Sequence, residues 1–130
     1  MSDPQYVVWF DDLRMTDVNR VGGKNASLGE MISQLTKAGV CIPNGFATTA
    51  DAYREFLAQG GLAQRIKQML DRLDTHDVTA LAAAGTEIRA WIVETPLPPR
   101  LKQEIAGAYE KMLRETGSGD ISVAVRSSAT

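Results

Sequence analysis

The stretch Val21-Gly22-Gly23-Lys24-Asn25-Ala26-Ser27-Leu28-Gly29-Glu30-Met31 constrains the fold of this chain more than any other. Two glycines stand directly before a pattern in which Leu28, Met31, Ile32 and Leu35 recur at i, i+3, i+4 and i+7. That spacing predicts a helix with one apolar face. Gly39 falls where the helix should end, because glycine takes positive φ at little cost. Gly22 and Gly23 therefore form a loop that feeds a helix N-terminus, with Lys24 at its mouth. The first N–H groups of a helix have no internal partners, and the helix dipole is positive there. An ammonium group beside such donors suits a phosphate. The stretch is not a Walker loop: the four-residue spacer between glycines is missing, and Asn25 follows the lysine in place of Ser or Thr. An ordinary turn with a solvated lysine is the competing reading, and Gly-Gly-Lys alone does not separate the two.

The composition narrows the class of protein. The 130 residues are enough for one domain at most, and 44% hydrophobic with 23% charged residues is the balance of a soluble globular protein. A net charge of −2 offers nothing to nucleic acid or to an anionic membrane. One cysteine, Cys41, excludes an internal disulfide; lying in an apolar run, it is expected to be buried and inert. No apolar run approaches the ~20 residues of a membrane span. Met1-Ser2-Asp3-Pro4 carries no basic region and no signal-peptide core, so the expected location is cytoplasmic.

Along the chain, Tyr6-Val7-Val8-Trp9-Phe10 reads as a strand, apolar at every position and so covered on both faces or packed under a loop. Asp11 and Asp12 read as a turn with solvated carboxylates, since no third ligand stands at a metal-binding spacing. Val40-Cys41-Ile42-Pro43 is extended, Asn44-Gly45 is a turn signal, and Phe46-Ala47 resumes as a strand, in a small hairpin or an irregular ribbon. Thr48 and Thr49 are candidate N-caps for a helix over about 50–58, with Asp51 as a capping-box-like partner of Thr48.

Gly60-Gly61 stops that helix, and three more follow. Their stripes are Leu62, Ile66, Met69, Leu70 and Leu73; then Val78, Leu81, Ile88, Trp91 and Ile92; then Leu101, Ile105, Ala108, Tyr109, Met112 and Leu113. Such stripes belong to a core before they belong to a cofactor. Pro96, Pro98 and Pro99 separate the last two helices, and Pro99 suits the first turn of the next. His76 sits in a polar turn with nothing to activate it, and reads as an exposed loop residue. After the turn at Gly117-Ser118-Gly119-Asp120, Ile121-Ser122-Val123-Ala124-Val125 alternates and reads as a strand. Arg126 follows at its end among the hydroxyls of Ser127, Ser128 and Thr130. Its planar fork matches phosphate oxygens, while a capping or ion-paired arginine fits the same position equally well.

Three blocks taken in order narrow these alternatives: Gly22 to Met31; Ile42-Pro43-Asn44-Gly45-Phe46-Ala47-Thr48-Thr49-Ala50-Asp51-Ala52-Tyr53; and Val123-Ala124-Val125-Arg126-Ser127-Ser128-Ala129-Thr130. Together they resemble the start of the phosphoenolpyruvate synthase family, whose relatives are pyruvate phosphate dikinase and rifampin phosphotransferase. The resemblance implies an α+β fold, a partial ATP-grasp-like nucleotide-binding domain that is mostly helical with a few short strands. Residues 1–130 would be its N-terminal portion, truncated. In the family a Gly-Gly-Lys motif and a later Val-Arg-Ser motif face ATP phosphates. Carried over, Lys24 and Arg126 are the two phosphate ligands, with Gly22 and Gly23 as the loop beside them.

The family reaction moves the β,γ-diphosphate part of ATP to a histidine on a swivelling domain and releases AMP. One phosphate then goes to water and the other to pyruvate. Lys24 and Arg126 would act as electrostatic stabilisers, not as nucleophile or base, because such chemistry asks the protein mainly to position and neutralise phosphates. The implied cofactors are ATP and magnesium, the metal's ligands lying outside this sequence. His76 matches no part of the family's phosphohistidine motif. The remaining ATP-site residues, the metal-binding carboxylates, the phosphohistidine domain and the pyruvate barrel are not in the sequence. The expected partners are thus ATP and the remainder of a parent enzyme, and the chain alone is expected not to make phosphoenolpyruvate. The alternatives are a non-catalytic helical interaction module and the equivalent fragment of a related dikinase.

Overall fold

The computed structural model describes residues 3–130; Met1 and Ser2, part of the run searched for a targeting signal, lie outside them. The architecture is mostly helical with one small antiparallel sheet, an α+β arrangement. The elements are β1 (Val7–Trp9), α1 (Val18–Val21), α2 (Gly23–Lys37), β2 (Phe46–Thr48), α3 (Ala50–Ala58), α4 (Leu62–Asp71), α5 (Val78–Glu94) and α6 (Pro99–Thr116). The chain divides into two compact units. One runs through Tyr53 and resumes at Pro99–Thr130; the other is Arg54–Pro98. No helix among the described residues is long and apolar enough to cross a membrane.

In the first unit the sheet pairs Val7 with Thr48, Val8 with Ala47 and Trp9 with Phe46. Phe46 therefore pairs with the N-terminal strand, not with the segment just before the Asn44-Gly45 turn. Tyr6 and Val8 point into the core, and the opposite face is covered: Trp9 meets Phe46 edge-on at 5.7 Å, and the Lys111 ammonium lies 4.6 Å from the centre of the Trp9 ring. Past β1 the chain folds into a tight turn at Phe10–Asp12, which leaves both aspartates exposed and brings Leu13 to full burial. Val8, Leu13, Val21, Ala26 and Ala47 form one core cluster; Tyr6, Ala52 and Leu101, with Ile105 against them, form another.

Helix α2 ends as expected. Gly39 has φ 83°, its N–H donates to Thr36 O at 3.1 Å, and the Val40 N–H donates to Leu35 O at 2.9 Å. This pair of bonds is the Schellman arrangement, which satisfies carbonyls the helix would otherwise leave open. The apolar stripe read in the sequence accounts for only part of the buried face of α2: Leu28 and Leu35 are half-buried. Ala26, Gly29 and Ile32 are buried, whereas Met31 is 47% exposed. The cause is close approach: a Cβ on Gly29 would lie 2.5 Å from Leu13 Cβ and 2.7 Å from the carbonyl oxygens of Leu13 and Phe10. Only a face of small residues fits there.

Thr49, not Thr48, caps α3. Its hydroxyl accepts the Ala52 N–H at 3.3 Å and donates to Gln5 O at 2.7 Å, and the residue is buried. Two further expectations are corrected. Ile121–Val125 is not a strand: the sheet consists of β1 and β2, no neighbour among the described residues supplies a ladder, and Val125 is 92% exposed. Strand propensity is realised only where an edge is available to pair. Cys41 is exposed, because the chain leaves the end of α2 along the surface, with Val40 also open to solvent.

The second unit holds the end of α3, then α4 and α5. Positive φ at Gly60 and Gly61 turns the chain between α3 and α4. Asp77 caps α5, accepting the Ala80 N–H at 3.0 Å, and the Arg65 guanidinium stacks 4.2 Å from the Trp91 ring centre. His76 is exposed in the turn before Asp77.

Candidate phosphate site

The site is assembled from the loop at Gly22 and the segment at the other end of the chain. Gly22 is buried with φ 83° and ψ 164°, which an L side chain rarely adopts. There is also no room for one: a Cβ would lie 2.3 Å from Ser128 Oγ and 2.7 Å from Ala129 O. Two hydrogen bonds join the same segments. The Gly23 N–H donates to Ala129 O at 3.2 Å, and the Asn25 N–H donates to Ser128 Oγ at 3.4 Å. Asn25 also folds its side-chain amide back onto Val21 O at 2.8 Å, which fixes the first turn of α2.

Lys24 lies between the two tied residues, and Arg126 lies two residues before Ser128. Both side chains are exposed, and among the described residues neither forms a hydrogen bond or an ion pair. The contact thus joins the two segments that carry these cations and leaves both charges uncompensated. The glycine N–H groups themselves are committed, Gly22 to Val18 O at 2.8 Å and Gly23 to Ala129 O. Anion affinity at this place therefore rests on side chains more than on the loop backbone.

Beside the contact is an open hollow of about 360 Å³ whose lining includes Arg20, Thr48, Tyr53, Ser128 and Thr130. Lys24 and Arg126 stand outside that lining. Arg20 bonds Asp17 at 2.9 Å and Gln5 at 3.2 Å, so it is already partnered. The Arg14 N–H, foremost, and the Arg20 guanidinium hold the Asp17 carboxyl below the usual range. Glu30 is lowered too, by the Gln34 side chain and then by the Met15 N–H. Both carboxylates brace the turn leading into α1 and α2. Among the described residues no group of three or more His, Cys, Asp or Glu side chains is arranged to hold a metal ion.

All three sequence blocks contribute residues to this place: Gly22, Gly23 and Asn25 from the first, Thr48, Thr49, Ala50 and Tyr53 from the second, and Ser128, Ala129 and Thr130 from the third. The family described as "Pyruvate phosphate dikinase, AMP/ATP-binding domain" matches residues 18–130, a span that contains every one of them. The chain belongs to this family.

Relatives extend the match. A phosphoenolpyruvate synthase of Neisseria meningitidis serogroup B is 64% identical over 130 residues, covering all of this chain and 16% of the relative. The phosphoenolpyruvate synthase of Escherichia coli K12 is 55% identical over 124 residues, 95% of this chain and 15% of the relative. A probable phosphoenolpyruvate synthase of Staphylothermus marinus is 42% identical over 131 residues, 99% of this chain and 15% of the relative. The chain thus spans about a sixth of the length of the curated relatives it matches.

Within the family span, the sequence singled out Gly22, Gly23, Lys24 and Arg126 but not Ser128, Ala129 or Asn25, whose contacts join the two motifs. The signal for them was the run of small residues at both ends, glycines in one block and Ser127-Ser128-Ala129 in the other. Small residues are what two backbones need to touch.

Proposed function

We propose that this chain is the phosphate-holding part of the ATP site of a phosphoenolpyruvate synthase, an ATP-grasp-like nucleotide-binding portion in which Lys24 and Arg126 bind the polyphosphate. The observation that carries this reading is the contact of the Gly22-Gly23 loop with Ser128-Ala129, which joins the two segments that carry Lys24 and Arg126. The family to which the chain belongs supports ATP as the nucleotide. The names of its relatives favour the synthase over the equivalent fragment of a related dikinase such as rifampin phosphotransferase.

In this reading Arg126 presents a planar pair of donors to phosphate oxygens and Lys24 a compact charge. Both neutralise charge that builds as the β,γ-diphosphate departs for a histidine elsewhere in the parent enzyme, leaving AMP. Water and pyruvate take the two phosphates in later steps, on residues outside this chain. The described residues do not form a metal site of their own; magnesium would arrive on the nucleotide, held largely by phosphate oxygens. The remainder of the enzyme is the partner, and the cytoplasm is the location.

Thermal melting tests the reading. ATP or pyrophosphate at a hundredfold excess over its Kd should stabilise the chain by about 2.7 kcal/mol, a rise on the order of 10 °C. Lys24→Ala and Arg126→Ala should each remove most of that rise. If neither ligand moves the melting temperature, the phosphate reading fails. The non-catalytic interaction module then stands in its place, favoured by the open side chains of Val123 and Val125.

A further inference from the structure

We propose that Ser128 is a positioning residue: seated on Gly22, it holds Arg126 in register with Lys24. This rests on the phosphate reading above and adds to it the means by which the two cations are aligned.

Three contacts converge on the serine and its neighbour. Ser128 Oγ occupies the space that a Gly22 side chain would need. The same oxygen accepts the Asn25 N–H, and Ala129 O accepts the Gly23 N–H. The tied amides belong to the residues immediately before and after Lys24, so the lysine is bracketed. On the other side, two residues of backbone span at most about 7 Å, so Arg126 Cα cannot stray further than that from Ser128 Cα. Among the described residues no strand ladder restrains the segment before Ser128, and most of it is exposed. The contact at Ser128 and Ala129 is therefore the nearest tied point along the chain to Arg126. A floating arginine would still attract an anion, but it would lose orientation on each binding event.

This assigns Gly22 a different task from the one its motif suggests. Its N–H is used within the chain, on Val18 O. What the absent side chain provides is the seat for the serine.

The test is a double-mutant cycle on the full chain, with pyrophosphate and ATP as probes and calorimetry as the readout. Ser128→Ala removes the acceptor for the Asn25 N–H and should weaken both probes three- to tenfold. Ser128→Thr keeps the hydroxyl and should stay within twofold of the parent. In an Arg126→Ala background, Ser128→Ala should cost nothing further, because there is no arginine left to align. A role limited to stabilising the helix would not produce that dependence on residue 126. Losses that multiply, or an unchanged affinity in Ser128→Ala while Arg126→Ala weakens binding, overturn the proposal and leave the phosphate reading intact. Unchanged affinity in both Lys24→Ala and Arg126→Ala overturns both. The unaltered chain supplies a measurement that needs no variant to fold: saturating pyrophosphate should slow amide exchange at Gly23 and Asn25, and unchanged exchange there counts against the clasp.

Discussion

Replacing one helical glycine by alanine should destabilise this chain, and replacing another should stabilise it. Gly29 lies in the middle of α2 and Gly107 in the middle of α6, and both belong to the same compact unit. Helix propensity alone favours alanine by about 1 kcal/mol at each. At Gly107 nothing lies within 4 Å of the new methyl group, so the gain should be realised. At Gly29 the methyl carbon would stand 2.5 Å from Leu13 Cβ and 2.7 Å from the carbonyl oxygens of Leu13 and Phe10. Carbon atoms sit comfortably at about 3.5–4.0 Å, so the helix or the turn must shift by roughly 1 Å. None of the three neighbours is the end of a flexible side chain. Leu13 O is also held, accepting the Arg14 guanidinium at 2.7 Å. Overpacking of this kind costs about 1–3 kcal/mol, here toward the upper end, and exceeds the propensity gain. The two variants should differ by about 2–3 kcal/mol, which for a chain of this size is on the order of 10 °C in Tm. Melting followed by far-ultraviolet circular dichroism measures it. A Gly29→Ala chain that melts at or above the parent would refute the close seating of α2 on the Phe10–Leu13 turn.

Three other outcomes follow from single contacts. Thr49→Val removes a buried hydroxyl that bonds Gln5 O and the Ala52 N–H, and should cost about 1–2 kcal/mol in urea denaturation; a loss under a few tenths would mean water replaces it. Asp17 has a folded pKa below its unfolded value, so its contribution is complete above the unfolded pKa, about 3.9, and disappears as the pH falls through the folded one. The parent should therefore lose stability in acid more steeply than Asp17→Asn, and parallel curves would show that the Arg14–Asp17–Arg20 group contributes nothing. Cys41, being exposed, should react with a thiol reagent in the native chain at nearly the denatured rate, and strong protection would place it inside after all.

Which parts of this structure were legible in the sequence follows from which forces are local. The end of α2 at Gly39, the start of α6 at Pro99 and the break before α5 depend on backbone preferences of one or two residues, and each stands where its residues predict. The pairing of Phe46 with Trp9 depends on a contact 37 residues away in sequence, and no turn signal encodes it. The strand expected at Ile121–Val125 failed for the converse reason, since alternation describes what a segment can pair with and not whether a partner is present. The buried face of α2 is only partly legible because apolar periodicity counts large side chains: Ile32 is buried as its spacing predicts, while Met31 is exposed. The close approach of α2 to Leu13 and Phe10 is made at Gly29, with Ala26 buried on the same face, and such small residues carry almost no hydrophobic signal.

The same division applies at the candidate site, and it explains why the motif was easier to find than its mechanism. Lys24 and Arg126 are conspicuous as charges, and the structure leaves them exposed, without partners among the described residues. Their usefulness to a polyphosphate depends on being held, and the holding is done by atoms that a motif treats as spacers: the missing Cβ of Gly22, one serine oxygen and two backbone amides. Two like charges on adjoining segments repel, weakly at an exposed surface, so the attraction that joins the segments must come from elsewhere. It comes from neutral contacts that salt does not screen. Raising ionic strength should therefore weaken phosphate binding steeply while leaving exchange at the Gly23 and Asn25 amides of the phosphate-free chain nearly constant. If the two fell together, the charges themselves, through some anion already bound between them, would be what draws the ends of the chain into contact.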